Sequence, residues 1–201
     1  MSRDWQYNVL VCGIGGQGIL TTAQILAKAG MYEGFKVLMA EIHGMAQRGG
    51  RVPCSVRFGD SISSPTIPEG GANLVISLEF AEALTALPFA SSKTVLVLNK
   101  QISIPPMIVI GLGRYPTADE VLGMVKKTST MVLVIDAPRI ATELGSQVAA
   151  NSVMLGAGVA AGKVPVKRES VVEAMKGVFS GRNLEVNMKA YEMGRAEALK
   201  E

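Results

Sequence analysis

Cysteine and histidine are scarce in this chain, which has two cysteines, Cys12 and Cys54, and one histidine, His43, among 201 residues. Cysteine-held iron–sulfur clusters and structural zinc sites each need about four such ligands. We therefore expect no metal site in the chain, and we assign no residue a catalytic role. Both cysteines lie in apolar predicted strands without a Cys-x-x-Cys motif, which is typical of buried, reduced thiols. Any redox chemistry must then use a bound cofactor or another subunit.

The chain also lacks long apolar segments and blocks of like charge. No apolar run reaches the ~18 to 20 residues that span a bilayer, and the first residues do not resemble a signal peptide. The 20 basic and 17 acidic residues leave a formal charge of +3, spread too evenly to attract nucleic acid. We expect a cytoplasmic protein that binds neither membrane nor nucleic acid. Its length fits one domain over residues 1–201, helical from about residue 138.

Glycine, in contrast, is abundant and forms a motif near the start of the chain. An apolar run at residues 9–12 meets the string Gly-Ile-Gly-Gly-Gln-Gly at residues 13–18, and apolar residues at helical spacing follow. This pattern predicts a strand, a tight turn and a helix. We expect Gly13 to take a positive φ, Gly15 to let a ligand or another chain come close, and Gly18 to let the helix lie on the strand.

The predicted turn has features of a dinucleotide-binding site. Free amide hydrogens and the helix dipole at its helix start could hold an anion, so Gly16 and Gln17 join the other glycines as candidate binding residues. Glu41 lies near the end of the second predicted strand, where such folds keep the acid that binds a ribose. A nucleotide site and a turn that only packs are both open interpretations.

Strand and helix patterns alternate along the first two thirds of the chain. After the first strand, the patterns predict strands at residues 35–42, 51–58, 73–77, 94–98, 107–110 and 131–135, and helices at residues 79–87 and 117–127. Residues 35–42 suit a strand covered on both faces. Residues 51–58 alternate in polarity, as in a half-exposed strand, and Pro53 indicates either an edge position or a place near the start of the strand. The alternation predicts an α/β fold, a Rossmann-like three-layer sandwich with a mainly parallel sheet and C-terminal helices.

The C-terminal part is predicted to be helical, at residues 151–162, 168–179 and 183–200. Gly156 and Gly158 would lower the stability of the first of these helices by up to ~1 kcal/mol each. We therefore expect another element to pack closely against them. Earlier in the chain, Thr117 is the predicted cap of the helix that follows it.

A second motif follows the second predicted strand. Residues 41–50 read Glu-Ile-His-Gly-Met-Ala-Gln-Arg-Gly-Gly, at a point where open α/β sheets place their ligands. Arg48 could hold a carboxylate or phosphate through two hydrogen bonds, and Gly49 and Gly50 would allow close backbone approach. Gln47 and His43 complete the set of candidate residues. For His43 we favour a structural histidine that pins the loop, because catalysis would need a second group that the sequence does not identify.

Together the two motifs resemble those of the gamma subunit, or gamma domain, of 2-oxoacid:ferredoxin oxidoreductases, which include the pyruvate and ketoisovalerate enzymes. Within that family the chain is most similar to the small (beta) subunit of the indolepyruvate type. The resemblance spans almost the whole chain, because it continues through residues 79–83, Asn99, residues 151–156 and residues 187–194.

The resemblance implies a complex that oxidatively decarboxylates a 2-oxo acid, passes the acyl group to coenzyme A and reduces ferredoxin. Thiamine diphosphate and the iron–sulfur clusters would belong to partner subunits, so this chain would hold no cofactor and would be inactive alone. Residues His43 to Gly50 would face a partner subunit or coenzyme A. Arg51 and Cys54 depart from the residues common in indolepyruvate relatives, so the 2-oxo acid stays open.

Two hypotheses of other classes accompany this one. The chain could be a free-standing nucleotide-dependent oxidoreductase that uses Gly13 to Gly18 and Glu41, or a binding module that has only kept the fold. Micromolar binding of a nicotinamide or flavin dinucleotide, lost on Glu41→Ala, would favour the oxidoreductase.

Overall fold

The centre of the molecule is a six-stranded sheet, seen in a computed structural model that describes residues 5–41 and 50–200. The strands follow one another in the order β2-β3-β1-β4-β5-β6. Their bounds are β1 Gln6–Cys12, β2 Val37–Glu41, β3 Cys54–Gly59, β4 Leu74–Ser77, β5 Val95–Asn99 and β6 Met131–Ile135. The first predicted strand and five of the six predicted after it are therefore confirmed within about three residues.

Five of these strands run in one direction. β1 pairs in parallel with β4, β4 with β5, and β5 with β6. β3 is antiparallel to both of its neighbours, β1 and β2, so β2 again points the same way as β1. The prediction of a mainly parallel sheet is confirmed, with one antiparallel strand inserted between β1 and β2.

Helices cover both faces of the sheet and make the three layers that the sequence predicts. Along β1, Val9 and Val11 join the core beneath one helical layer, and Leu10 and Cys12 join the core on the opposite face, because successive side chains of a strand point to opposite faces. α1, α5, α6, α7 and α8 cover the first face, and α2 and α4 cover the second. Their bounds, with those of a short α3, are α1 Ile19–Tyr32, α2 Ala83–Ala86, α3 Pro106–Val109, α4 Ala118–Thr128, α5 Ala137–Glu143, α6 Ala150–Ala161, α7 Arg168–Lys176 and α8 Gly181–Ala198. Among the helices of the described ranges, none is long and apolar enough to cross a bilayer.

Two predicted details of the helices are confirmed. Thr117 caps α4 in a reciprocal arrangement, in which its side chain accepts from the Glu120 backbone and the Glu120 carboxylate accepts from the Thr117 backbone. The small residues of α6 do mark a close approach. A Cβ at Gly156 would overlap the carbonyl oxygen of Tyr191 in α8, and one at Gly194 would overlap that of Val153 in α6.

The predicted strand at residues 107–110 is wrong. The chain there forms α3, Pro106–Val109, and Val109 and Ile110 are exposed. A run of four apolar residues carries no period that separates strand from helix. Proline fits the first turn of a helix, since its missing amide hydrogen would have no partner there, and Pro106 starts this one.

Strands β2 and β3 exchange the environments that the sequence predicts for them. β2 is an edge strand with Met39 and Glu41 exposed, whereas β3 is buried along its whole length. The polar residues of β3 are covered by the following loop: the Arg57 guanidinium donates to the carbonyl oxygens of Ser64 at 2.7 Å and Thr66 at 2.9 Å. The alternation of polar and apolar residues in residues 51–58 predicted that one face of the strand is exposed. It could not show that a loop covers this face and provides hydrogen-bond acceptors for Arg57.

Candidate functional site

The glycine motif joins β1 to α1, as predicted, but the roles of its glycines differ from the predicted ones. Positive φ values occur at Gly16 (101°) and Gly18 (84°), and Gly13 does not have one. At Gly13 the need is for space, because a Cβ would lie 2.8 Å from Oε1 of Gln17. That oxygen accepts a hydrogen bond from the backbone of Ile14 at 2.9 Å, so the Gln17 side chain folds back over the turn and stiffens it.

Gly18 makes room for a helix other than the one predicted. It precedes α1 as its N-cap, and a Cβ there would overlap the side-chain amide of Asn151 in α6. The expectation that Gly18 lets α1 lie on β1 is therefore corrected, since the close neighbour belongs to the C-terminal part of the chain. Asn151 is a site residue that the glycine pattern alone did not reveal.

The two sequence motifs meet through their backbones. The Gly15 amide donates to the Gly50 carbonyl at 2.9 Å, and the Val52 amide donates to the Gly13 carbonyl at 3.0 Å. An isolated β-bridge pairs Ile14 with Arg51. The backbone of Gly15 thus contacts a segment of its own chain, and the expected approach of a ligand or another chain to Gly15 stays a prediction. Of the other residues predicted in the second motif, His43, Gln47, Arg48 and Gly49 lie outside the described residues.

Glu41 does not adjoin the glycine turn. It is the last residue of β2 and pairs with Cys54 of β3, which in turn pairs with Val11 of β1. Because neighbouring strands are ~4.8 Å apart, two strand spacings place Glu41 roughly 10 Å from the end of β1. In a dinucleotide-binding fold, the acid that binds the ribose lies at the end of the strand next to β1. Here the strand next to β1 is β3, so Glu41, at the end of β2, does not occupy that position.

A cleft of about 360 Å³ opens beside the turn, at the carboxyl edge of β1, β4 and β5. Its walls are Gly16, Gln17, Gly18, Leu78, Asn99, Gln101, Ser103, Gln147, Val148, Ala150 and Asn151. Asn99, only 3% exposed, donates its side-chain amide to the Leu78 carbonyl at 3.0 Å. Its Oδ1 has no hydrogen-bond partner among the described residues. The cleft therefore offers a buried acceptor beside the amide-rich start of a helix.

A buried carboxylate that the sequence patterns did not single out organises the neighbouring wall. Glu79 follows β4 and accepts hydrogen bonds from the backbone of Glu82 at 2.9 Å, from the backbone of Ser103 at 3.1 Å, and from the Tyr115 hydroxyl. The helix predicted at residues 79–87 is shorter in the structure, where α2 runs from Ala83 to Ala86. Burial, together with this hydrogen bond, raises the pKa of Tyr115.

Glu82 links this wall to the second motif. Its carboxylate lies 3.2 Å from the Arg51 guanidinium. Burial raises the pKa of Glu82, and the Arg51 charge opposes that shift. The ion pair fixes the chain where it returns from residues 42–49, next to the glycine turn.

The two cysteines are buried free thiols, as predicted. Burial raises the pKa of each to about 12, so both keep their protons at neutral pH and are poor nucleophiles. Within residues 5–41 and 50–200, no cluster of three histidine, cysteine or carboxylate side chains could hold a metal ion.

Comparison with known proteins gives one consistent result. The family model described as pyruvate ferredoxin/flavodoxin oxidoreductase matches residues 8–197. Indolepyruvate oxidoreductase subunit IorB of Archaeoglobus fulgidus is 42% identical over 192 residues, which are 96% of this chain and 95% of that protein. The pyruvate/ketoisovalerate oxidoreductases common subunit gamma of Pyrococcus furiosus is 31% identical over 180 residues, 89% of each chain.

Solved structures share the fold. A keto/oxoacid ferredoxin oxidoreductase gamma subunit from Geobacter sulfurreducens matches with a TM-score of 0.70 at 22% identity, over 97% of this chain and 99% of that one. The 2-oxoglutarate:ferredoxin oxidoreductase of Magnetococcus marinus matches with a TM-score of 0.73 at 17% identity, over 99% of this chain and 32% of that larger one. The resemblance drawn from the two motifs is thus confirmed, and the chain belongs to the pyruvate ferredoxin/flavodoxin oxidoreductase family, in which its relatives of matching length are oxidoreductase subunits.

Proposed function

We propose that this chain is the non-catalytic small subunit of an indolepyruvate-type 2-oxoacid:ferredoxin oxidoreductase in the cytoplasm. The observation that carries the proposal is the 42% identity to an indolepyruvate oxidoreductase subunit over nearly the full length of both chains. Identity to the pyruvate/ketoisovalerate gamma subunits is lower, at 31% and 32%. Thiamine diphosphate and the iron–sulfur clusters are held by partner subunits, and coenzyme A and ferredoxin act at the level of the complex.

The described side chains support a positioning role. The two thiols keep their protons, and the Glu79 carboxylate is occupied by three donors from its own chain. Among the described residues, these thiols and this carboxylate are therefore suited to holding the shape of the sheet rather than to acting as a nucleophile or a general base. The edge is then a rigid surface that a catalytic subunit can use.

We place the partner-facing surface at this edge. Val148, which lines the cleft, is 79% exposed, and Ile102 and Ile104, the chain neighbours of the lining residue Ser103, are each 54% exposed. A partner that covers this edge would remove these apolar side chains from water. We also propose that the segment from His43 to Gly50 contacts the partner subunit or coenzyme A. Arg51, which follows this segment in the chain, forms an ion pair with Glu82.

A purified complex tests the substrate class. The chain is co-expressed with the thiamine-diphosphate-binding subunit from the same genome, and ferredoxin reduction is followed with indolepyruvate, pyruvate and 2-ketoisovalerate in the presence of coenzyme A. We expect co-purification and a kcat/KM for indolepyruvate at least tenfold above those for the other two acids. Equal or higher kcat/KM for pyruvate would reject the indolepyruvate assignment, and failure to co-purify would reject the subunit role.

The alternative function is a nucleotide-dependent oxidoreductase, because an open cleft lies beside the glycine turn. To test it, NADH, NADPH and FAD are titrated into the isolated chain and into its Glu41→Ala variant. The proposed subunit role predicts no micromolar binding by either protein. Micromolar binding that is lost in the variant would favour the alternative, despite the distance between Glu41 and the turn.

A further inference from the structure

Exposed apolar side chains are concentrated in one segment of the chain. Among the side chains that the structure describes, thirteen large apolar ones are exposed, and five of these lie in residues 102–112. The five are Ile102, Ile104, Val109, Ile110 and Leu112, at 54%, 54%, 73%, 67% and 66% exposure. Single exposed apolar residues are common on protein surfaces, whereas a concentration of them marks an interaction site. We call residues 102–112 the apolar segment.

The apolar segment is fixed to the body of the protein at both ends by one carboxylate. Glu79 accepts a hydrogen bond from the Ser103 amide at 3.1 Å, near the start of the segment, and another from the Tyr115 hydroxyl, just after its end. Beside this carboxylate, the Phe80 amide donates to the Gln101 carbonyl at 2.9 Å. Because Glu79 is buried, these bonds tie the segment to the interior. The exposure of its apolar side chains is therefore a property of the folded chain.

The segment also has internal structure. It contains α3, where the Pro105 carbonyl accepts from the amides of Ile108 at 2.9 Å and Val109 at 3.3 Å. After α3 the Gly111 amide donates to the Ile108 carbonyl at 3.0 Å, and Gly111 has a φ of 84°. These bonds satisfy backbone groups within the segment, so a partner would contact mainly its side chains.

The chemistry of the segment resembles the centre of a protein interface. Residues 101–113 contain no charged side chain, and the core of an interface is depleted in charged residues. A whole isoleucine or leucine side chain presents roughly 120 Å² of apolar surface. Five that are about six-tenths exposed therefore leave roughly 400 Å² open to water. This area is about half of the ~800 Å² that one partner contributes to a stable interface.

The apolar segment adjoins both sequence motifs. Ser103 lines the cleft beside the glycine turn. Together with Pro105 and Ile108 it also lines a groove of about 170 Å³, whose other lining residues include Arg51 and Glu82. The segment is thus continuous with the edge of the sheet to which we assign the partner subunit.

We propose that the apolar segment is the main contact of this chain with the thiamine-diphosphate-binding catalytic subunit, which covers it with an apolar, uncharged face of its own. This inference rests on the proposed function, because it takes its partner from there. It goes further by naming the residues that carry the affinity, with Ile110 and Leu112 among the most exposed. A second copy of this chain is the competing occupant, since a surface patch can also pair with itself about a two-fold axis.

Affinity measured with matched surface variants tests the inference. Calorimetry gives the Kd between the purified full chain and the catalytic subunit from the same genome. The double variant Ile110→Ser, Leu112→Ser removes two apolar side chains from the segment, and we expect its Kd to rise by about 100-fold or more. The control is the double variant Met31→Ser, Leu199→Ser, whose parent side chains are similarly exposed, at 64% and 70%. Its Kd should stay within about threefold of the parent value.

Both control residues lie away from the apolar segment. α1 begins beside the glycine turn, and Met31, near its other end, is about 20 Å along the helix from that turn. Leu199 lines a groove with Val159, at the end of α6 that is farther from the turn. All four substitutions are at exposed positions, so each isolated variant should melt within about 4 °C of the parent.

The outcomes separate this inference from the proposed function. If the parent chain binds the catalytic subunit and the Ile110→Ser, Leu112→Ser variant binds it as tightly, or if both double variants weaken binding equally, the inference fails and the subunit role stands. If the parent chain does not bind, the subunit role fails and the inference with it. Sedimentation of the isolated chain tests the second copy: a dimer that the same variant dissociates, with unchanged binding to the catalytic subunit, would overturn the proposal.

Discussion

At the scale of single residues, the site depends on where the backbone leaves no room for a side chain. The sequence predicted which glycines form the first turn, because strand, glycines and helix follow one another. It did not predict that Gly18 faces Asn151, since nothing local indicates that a helix far along the chain packs there. The role of Glu79 was missed for the same reason, because two of its three donors lie well beyond it in sequence.

Gly18→Ala should destabilise the chain more than a matched glycine substitution elsewhere. Gly34 has nearly the same φ, 81° against 84°, but has open space around it. We expect Gly34→Ala to lower the free energy of unfolding by the ~1 to 2 kcal/mol of a left-handed residue. Gly18→Ala should cost a further ~1 to 3 kcal/mol, because its methyl group overlaps Asn151. Urea unfolding measures both, and equal losses would show that Asn151 moves aside freely.

The buried thiols predict a pH dependence of stability. The folded-state pKa of Cys12 is raised from 9.0 to about 12, so between these values the unfolded chain has lost a proton that the folded chain keeps. The free energy of unfolding must therefore fall as pH rises above 9, by up to ~1.4 kcal/mol per pH unit for one such thiol. In Cys12→Ala the free energy of unfolding should fall less steeply with pH, and identical slopes for variant and parent would contradict the raised pKa of Cys12.

Ellman's reagent at pH 8 should label Cys12 and Cys54 only after unfolding.

At the scale of helices and strands, periodic patterns were sufficient for long elements and failed for short ones. α1, α4, α6 and α8 have the lengths and spacings that predicted them. Residues 107–110 were ambiguous because four apolar residues have no measurable period. The exchange of environments between β2 and β3 was hidden because strand order depends on long-range pairing, and the cover over Arg57 comes from a loop.

The crossing of α6 and α8 should tolerate no added carbon at its closest point. Alanine at Gly156 would overlap the backbone of Tyr191, so the helices must separate. We expect Gly156→Ala to lower the free energy of unfolding by ~1 to 3 kcal/mol, even though alanine favours helix by up to ~1 kcal/mol.

Gly123→Ala in α4 is the matched control for that substitution, because nothing lies within 4 Å of the added carbon. It should raise the free energy of unfolding by ~0.5 to 1 kcal/mol through helix propensity alone. Both variants are compared by urea unfolding of the full chain. Stabilisation by both would mean that the two helices can separate at no cost.

At the scale of the whole molecule, the family could be predicted from two motifs that the fold brings together by backbone hydrogen bonds between residues 13–15 and 50–52. The position of Glu41 in the sheet could not be predicted. The number of residues between the glycine turn and Glu41 is the same whether or not β3 lies between β2 and β1.

The division of labour between this chain and a catalytic partner is the central claim, and activity measured in three preparations tests it most directly. The chain alone, the thiamine-diphosphate-binding subunit alone and the co-purified complex are assayed for ferredoxin reduction with indolepyruvate and coenzyme A, and each is analysed for iron and thiamine diphosphate. We predict full activity only in the complex, with iron and thiamine diphosphate following the partner. Stoichiometric iron or turnover in the metal-scrubbed chain alone, or full activity in the partner alone, would contradict the account.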